Sequence, residues 1–135
     1  MGGGTPSLFS AQAMQRLLSG IRSLLPIRPD AEITMEVNPG SREFDDLSAY
    51  RQAGINRLSF GVQSLDNDSL KVLGRIHNAD QAVIAIQKAR QAGFDNFNTD
   101  LMFALPNQRL ADAKDDLHAL LELSPPHVSY YQLTL

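Results

Sequence analysis

Six residues at the start of the chain, Gly2-Gly3-Gly4-Thr5-Pro6-Ser7, have the composition of a loop built to meet a polar ligand. Three glycines leave the backbone free to adopt positive φ and let main-chain N–H groups approach closely. Pro6 suits the first turn of a helix and Thr5 suits its N-cap. A glycine turn running into a helix N-terminus is a site for a carboxylate or a phosphate. The same residues also read as a flexible leader or an expression remnant. Further along stand Glu36 and Asn38 in Glu36-Val37-Asn38-Pro39-Gly40, then Gln63 after Gly61-Val62, then Arg75 in Gly74-Arg75-Ile76-His77. Asp100, in Asn98-Thr99-Asp100-Leu101-Met102, is the strongest single residue, because a carboxylate among apolar strand residues is costly unless it binds something.

Each of these has a structural alternative. Glu36 reads equally as an ion-pair member or a cap partner, and Asn38 before Pro39 as a turn residue. Arg75 and His77 lie between two helices, where a solvated arginine and a surface histidine are the ordinary case. His118 sits on a polar helical stretch and reads as surface; His127 follows two prolines and reads as structural. Taken jointly the set is more telling. Carboxylates suit an ammonium group or ribose hydroxyls, and an arginine or a helix-end N–H suits a carboxylate. An amino-acid-bearing nucleoside would satisfy all of them, although spacing and residue type alone do not identify which ligand.

The elements that must position these residues alternate along the chain. Residues 10–25 read as a helix with Met14, Leu17, Leu18, Ile21, Leu24 and Leu25 on one face. A strand follows at 32–38, closed by Pro39-Gly40, then a helix at 43–53 carrying Phe44, Leu47 and Tyr50 and stopped by Gly54. Arg57 to Gln63 reads as a strand, 66–73 as a short helix, and 80–92 as a longer helix with Val83, Ile84, Ile86 and Ala89 inward. A strand at 96–105, a helix at 110–123 and a strand at 127–135 complete the series.

Strand–helix alternation predicts an α/β fold with parallel strands, as either a doubly wound sheet or a (β/α) barrel. Strand parity favours the barrel. Ile33, Met35 and Val37, then Leu58, Phe60 and Val62, are apolar, while the alternate positions Thr34, Glu36, Asn38, Ser59, Gly61, Gln63, Asn98 and Asp100 are polar or small. A sandwiched central strand would be apolar on both faces. The expectation is therefore a partial TIM-type barrel with a polar lumen, one domain over residues 1–135, truncated at both ends. A whole barrel usually needs about 250 residues. Ligands bind such folds at the C-terminal ends of the strands, where Glu36, Asn38, Gln63 and Asp100 collect.

Composition narrows the classes. The 135 residues are 43% hydrophobic with a net charge of −3, enough for a core and poor for holding nucleic acid on a basic face. No apolar run is long enough to span a bilayer. There is no cysteine, so the chain itself holds no disulfide, thiolate zinc site or thiolate-bound iron–sulfur cluster. A cytoplasmic location fits this composition.

Gly2-Gly3-Gly4-Thr5-Pro6-Ser7, Glu36-Val37-Asn38-Pro39-Gly40, residues 56–64 (Asn-Arg-Leu-Ser-Phe-Gly-Val-Gln-Ser), Gly74-Arg75-Ile76-His77 and residues 100–106 (Asp-Leu-Met-Phe-Ala-Leu-Pro) resemble successive motifs of radical S-adenosylmethionine proteins. Within them the chain is most similar to the oxygen-independent coproporphyrinogen III oxidase family. Gly74-Arg75-Ile76-His77 and Tyr131-Gln132-Leu133-Thr134 resemble its haem-chaperone branch more than the oxidases. The resemblance implies a partial (β/α)6 barrel that binds S-adenosylmethionine. Gly3, Gly4 and Thr5 would hold the methionine ammonium end. Glu36, Gln63, Arg75 and Asp100 would line the rest, Asp100 suiting the ribose hydroxyls, with Asn38 a weaker carry-over.

In the family a four-iron four-sulfur cluster, held by a CxxxCxxC loop ahead of the glycine motif, cleaves the cofactor to methionine and a 5′-deoxyadenosyl radical. The oxidases use it to decarboxylate coproporphyrinogen III, whereas the chaperone-like members bind haem. The resemblance thus implies a porphyrinogen or haem ligand for the longer parent, while this chain lacks the cysteines that the cluster needs. Ala104 stands where the family usually has glycine. An exposed barrel edge also predicts self-association. Composition alone leaves open a small (β/α) enzyme that grips a phosphorylated metabolite with the glycine loop.

Overall fold

The computed structural model describes residues 1–40 and 47–134. The expected helix start at Glu43, with Phe44, and the expected strand end at Leu135 lie outside the described residues.

Four parallel strands, β1 (Thr34–Val37), β2 (Arg57–Gln63), β3 (Phe97–Phe103) and β4 (His127–Gln132), form one sheet in the order β1-β2-β3-β4. Helices α1 (Ala11–Leu24), α2 (Leu47–Ala53), α3 (Asn67–Val72), α4 (Ala79–Gln91) and α5 (Leu110–Glu122) lie between and around them in sequence. Strand order equal to chain order decides between the two architectures. A doubly wound sheet reverses its order partway, whereas a barrel adds each strand beside the last. This is the α/β arrangement of a partial barrel.

The parity read from the sequence separates the two faces. Met35, Val37, Leu58, Phe60, Val62, Phe97 and Leu101 are buried and pack with Met14, Leu18, Leu47, Tyr50, Ala82, Ile86 and Leu120 from the helices. Phe60 and Phe97 meet edge to face at 6.0 Å, the geometry that the ring quadrupoles prefer. The opposite face carries Glu36, Ser59, Gly61, Asn98 and Asp100.

Three sequence expectations change. In α1 only Met14 and Leu18 are buried, while Leu17 (49%), Leu24 (82%) and Leu25 (59%) are exposed. The 14-residue helix is about 21 Å long and outruns a four-residue strand of about 13 Å, so its last turn has no layer to pack on. In α4 the inward residues are Ala82, Ala85, Ile86 and Ala89, with Ile84 exposed. Small side chains let this helix sit close to the sheet, and a reading weighted to large residues misplaces the face by a fraction of a turn. Finally, Pro6–Leu8 forms a single 3-10 turn and Thr5 makes no side-chain cap bond. The long helix begins later, where Ser10 accepts from the Ala13 N–H at 3.2 Å. The glycine loop therefore has no helix dipole behind it.

Met1 pairs with β1 in the parallel pattern: its amino group donates to the Thr34 carbonyl, and the Glu36 N–H donates to the Met1 carbonyl at 3.1 Å. This pairing brings the glycine loop to the C-terminal end of β1.

Candidate functional site

At the C-terminal ends of the strands a cavity of about 330 Å3 is lined by Gly4, Thr5, Pro6, Glu36, Asn38, Ser59, Gly61, Gln63, Arg75 and Asp100, with Val37. Apart from Gly3, every binding residue singled out in the sequence lines this one space. Gly3 and Gly4 adopt φ of 86° and 67°, the left-handed region that glycine enters without strain. Their N–H groups make no hydrogen bond to the protein among the described residues. Gly2 touches the Glu36 carboxylate so closely that a Cβ there would lie 2.5 Å from Oε1.

The charged groups face the space uncommitted. Neither the Glu36 carboxylate nor the Arg75 guanidinium has a hydrogen bond or ion pair among the described residues, and both are exposed to the cleft. Asp100 is half-buried. Its Oδ1 accepts from the Asn98 Nδ2 at 2.7 Å, and its Oδ2 lies at 3.4 Å from the Ser59 hydroxyl, leaving acceptor capacity free. Asn38 is a turn residue in part, since its Oδ1 accepts from the Gly40 N–H at 3.2 Å. Gln63 is 3% exposed with φ of 70°, at a register shift where three residues of β2 oppose two of β3. The shift re-aims its side chain over the polar face.

Sequence reasoning missed the groups that hold this arrangement. His77 is not at the surface. It is 3% exposed, with Nε2 at 3.0 Å from the Val62 carbonyl and Nδ1 without a partner among the described residues. Burial lowers its pKa from the ordinary histidine value, the Val62 bond opposes this, and the Arg75 charge adds to the lowering. The neutral ring ties the Arg75 loop to the end of β2. Asn98 is a hub: besides Asp100 it donates to Ser59 at 3.0 Å, while its Oδ1 accepts from Ser129 at 3.0 Å and meets His127 Nδ1 at 2.7 Å. His127 and His118, read from the sequence as structural and surface residues, are both exposed, His127 with its ring nitrogen against Asn98. The Tyr131 hydroxyl donates to Gln63 Oε1 at 2.9 Å. The parity His127, Ser129, Tyr131 on β4, opposite Asn98, Asp100 and Met102 in register, was the available signal.

A parallel sheet wound in one direction, with a glycine loop and unpaired charges of both signs at its C-terminal edge, defines a (β/α) protein of the partial-barrel class. The chain belongs to the Radical SAM superfamily, whose family model matches residues 1–120. It is 53% identical over 135 residues to the heme chaperone HemW of Escherichia coli (strain K12) and 50% identical over 135 residues to that of Haemophilus influenzae. All of this chain aligns in each case, against 36% and 35% of the relative. The chain thus spans about a third of the length of these relatives. Among solved structures, the radical SAM coproporphyrinogen III oxidase (HemN) of Escherichia coli superposes with a TM-score of 0.88 at 32% identity, covering 98% of this chain and 31% of that one. The sequence lies on the heme-chaperone side of this HemN-like family.

No helix among the described residues is long and apolar enough to cross a membrane.

Proposed function

We propose that the cleft is the S-adenosylmethionine site of a protein of the heme-chaperone type. The observation that carries this reading is the pair of unpaired opposite charges, Glu36 and Arg75, in one cavity with Asp100 and the free N–H groups of Gly3 and Gly4. A zwitterionic amino acid joined to a ribose complements all of them. Gly3, Gly4, Thr5 and Glu36 would receive the methionine ammonium end and Arg75 its carboxylate. Asp100 would accept from the ribose hydroxyls, and Gln63 would line the wall between.

When bound beside a four-iron four-sulfur cluster, S-adenosylmethionine would supply a sulfonium carbon–sulfur bond open to reductive cleavage. The chain's own residues supply none of the thiolates, since it has no cysteine. Their part is to bind and orient the sulfonium ligand. In the whole protein we infer haem as the cargo, on the strength of similarity to the heme chaperones.

The test is calorimetric titration of this chain with S-adenosylmethionine, alongside Glu36→Ala and Asp100→Ala. Saturable binding weakened in both variants supports the site, and unchanged affinity in both removes it. Inorganic phosphate that protects the Gly3 and Gly4 amides from hydrogen exchange, with no response to S-adenosylmethionine, would instead support the phosphorylated-metabolite reading. The helix-less 3-10 turn after Thr5 argues against that reading. For the whole protein, stoichiometric haem binding without coproporphyrinogen III decarboxylation separates carrier from oxidase.

A further inference from the structure

Gln63 is gripped from outside the cleft that it lines. Its Oε1 accepts from the hydroxyl of Tyr131, 68 positions away on β4, so the contact reaches across the polar face over β3. Its Nε2 lies against Gly61, where a Cβ would come within 3.1 Å. This nitrogen makes no hydrogen bond to the protein among the described residues and is not sealed from solvent, although the residue as a whole is 3% exposed. An amide whose oxygen is engaged presents two N–H donors on its other side. In the opposite flip, the amide oxygen would face a cleft already lined by the Glu36 and Asp100 carboxylates.

We propose that Tyr131 is a positioning residue: its hydroxyl fixes the Gln63 amide with the NH2 group turned into the cleft. The wall beside the Asp100 acceptor thereby becomes a donor, and the site selects ligands that carry a hydroxyl or other acceptor oxygen there. The proposal rests on the reading of the cleft as a ligand site for S-adenosylmethionine. Tyr131 retains its proton for this bond, since burial and the Asp100 charge both raise its pKa above the ordinary tyrosine value. Gly61 has its own part, because any larger residue would push on the amide from the far side.

The experiment compares the wild-type chain with Tyr131→Phe, Gln63→Ala and the double variant. In the wild type the Gln63 side-chain NH2 resonances are ordered and displaced from free-amide positions; in Tyr131→Phe they move toward those positions and become mobile. S-adenosylmethionine affinity falls about fivefold to tenfold in Tyr131→Phe, as for one neutral hydrogen bond. It does not fall further when the same change is made in Gln63→Ala, because the effect acts through Gln63. Equal weakening in both backgrounds, or Gln63 resonances that do not move, overturns the proposal. Gly61→Ala displaces the same amide without touching β4 and should move the Gln63 NH2 resonances, which covers the case of a Tyr131 variant that folds poorly; the resonances are its readout, because Gly61 itself lines the cleft. If the wild type itself does not bind S-adenosylmethionine, the functional reading fails, while the Gln63 resonances still decide whether Tyr131 holds the amide.

Discussion

Two cavities among the described residues invite comparison, and the larger of the two is the less promising. Between α3 and α5 a space of about 570 Å3 is lined by Asp66, Asp68, Asp112, Asp115 and Asp116. Most of these carboxylates are already occupied by the fold. Asp66 caps α3 by accepting from the Ser69 N–H at 2.7 Å, and Asp68 pairs with Lys71 at 2.9 Å. Arg109 beside Asp112 holds its carboxyl down at about 2. Asp116, 5% exposed, accepts from the Ser64 hydroxyl at 2.5 Å and the Leu65 N–H at 2.7 Å. In the smaller cleft the charges of Glu36 and Arg75 are left unmatched. Unused hydrogen-bonding capacity, rather than volume or charge count, distinguishes the cleft proposed as the ligand site.

Two substitutions of one residue type break or sharpen that contrast. Asp116→Ala should cost about 2–3 kcal/mol of stability, because it leaves the Ser64 and Leu65 donors buried without an acceptor. A fall in the thermal midpoint without a change in S-adenosylmethionine affinity is the expected result. Asp100→Ala should do the reverse, losing about 1–3 kcal/mol of binding with a smaller effect on stability. If affinity followed Asp116 and ignored Asp100, the roles assigned to the two cavities would be exchanged. Asp68→Ala, at an exposed pair, should move neither quantity measurably.

The loop that carries Arg75 is the next point of attack. A Cβ at Gly40 would lie 2.9 Å from His77 Cβ and from Ile76 Cγ1, and 3.1 Å from the His77 backbone nitrogen. Backbone cannot yield as a flexible side chain can, so Gly40→Ala should cost about 1–2 kcal/mol and loosen S-adenosylmethionine binding through Arg75. By contrast, Gly2→Ala would press only on the end of the Glu36 side chain. It should spare stability while shifting the carboxylate.

His77 adds a pH dependence of known sign. Its folded pKa lies below the unfolded value, so the native state binds fewer protons in the window between the two. Its contribution to stability is intact above about pH 6.5 and is lost progressively as pH falls from there through the folded value. His77→Gln keeps an N–H donor in reach of the Val62 carbonyl and should flatten that part of the profile. Denaturant midpoints followed from about pH 7.5 downward through the unfolded histidine value would reveal it; identical slopes in the two proteins would mean that another group titrates.

The sequence was legible where one rule acts alone. Period-two alternation in β1 to β3 located both faces, because a strand side chain has only two directions available. Glycine, proline and Asx signals located the turns to within a residue or two. It was less legible where the third dimension decides. His77 reads as a loop histidine until the Val62 carbonyl closes on it, and Tyr131 is an edge tyrosine until the bulge at Gln63 reaches across β3. Parity could place Tyr131 on the polar face, but no local pattern names the partner of either side chain. The α-helix expected behind Thr5 is a single 3-10 turn, because proline after a capping residue fits either; the Tyr50 hydroxyl, against the Ser7 and Phe9 carbonyls, holds the end of that turn.

Ala104 offers the smallest effect and a clean separation of backbone from site. It leaves β3 with φ of 58°, where an L-residue carries about 1–2 kcal/mol of strain that glycine would not. Its methyl is exposed and lies outside the Glu36–Arg75 cleft, beside Phe103 and Tyr130 instead. Ala104→Gly relieves the strain and returns part of it as added freedom of the unfolded chain, about 0.5–1 kcal/mol for glycine against alanine. The net expectation is a gain of about 0.5–1 kcal/mol in denaturant unfolding with S-adenosylmethionine affinity unchanged. A change in affinity would extend the site beyond the cleft to the end of β3, and a loss of stability would mean that the alanine methyl makes contacts worth more than the strain it bears.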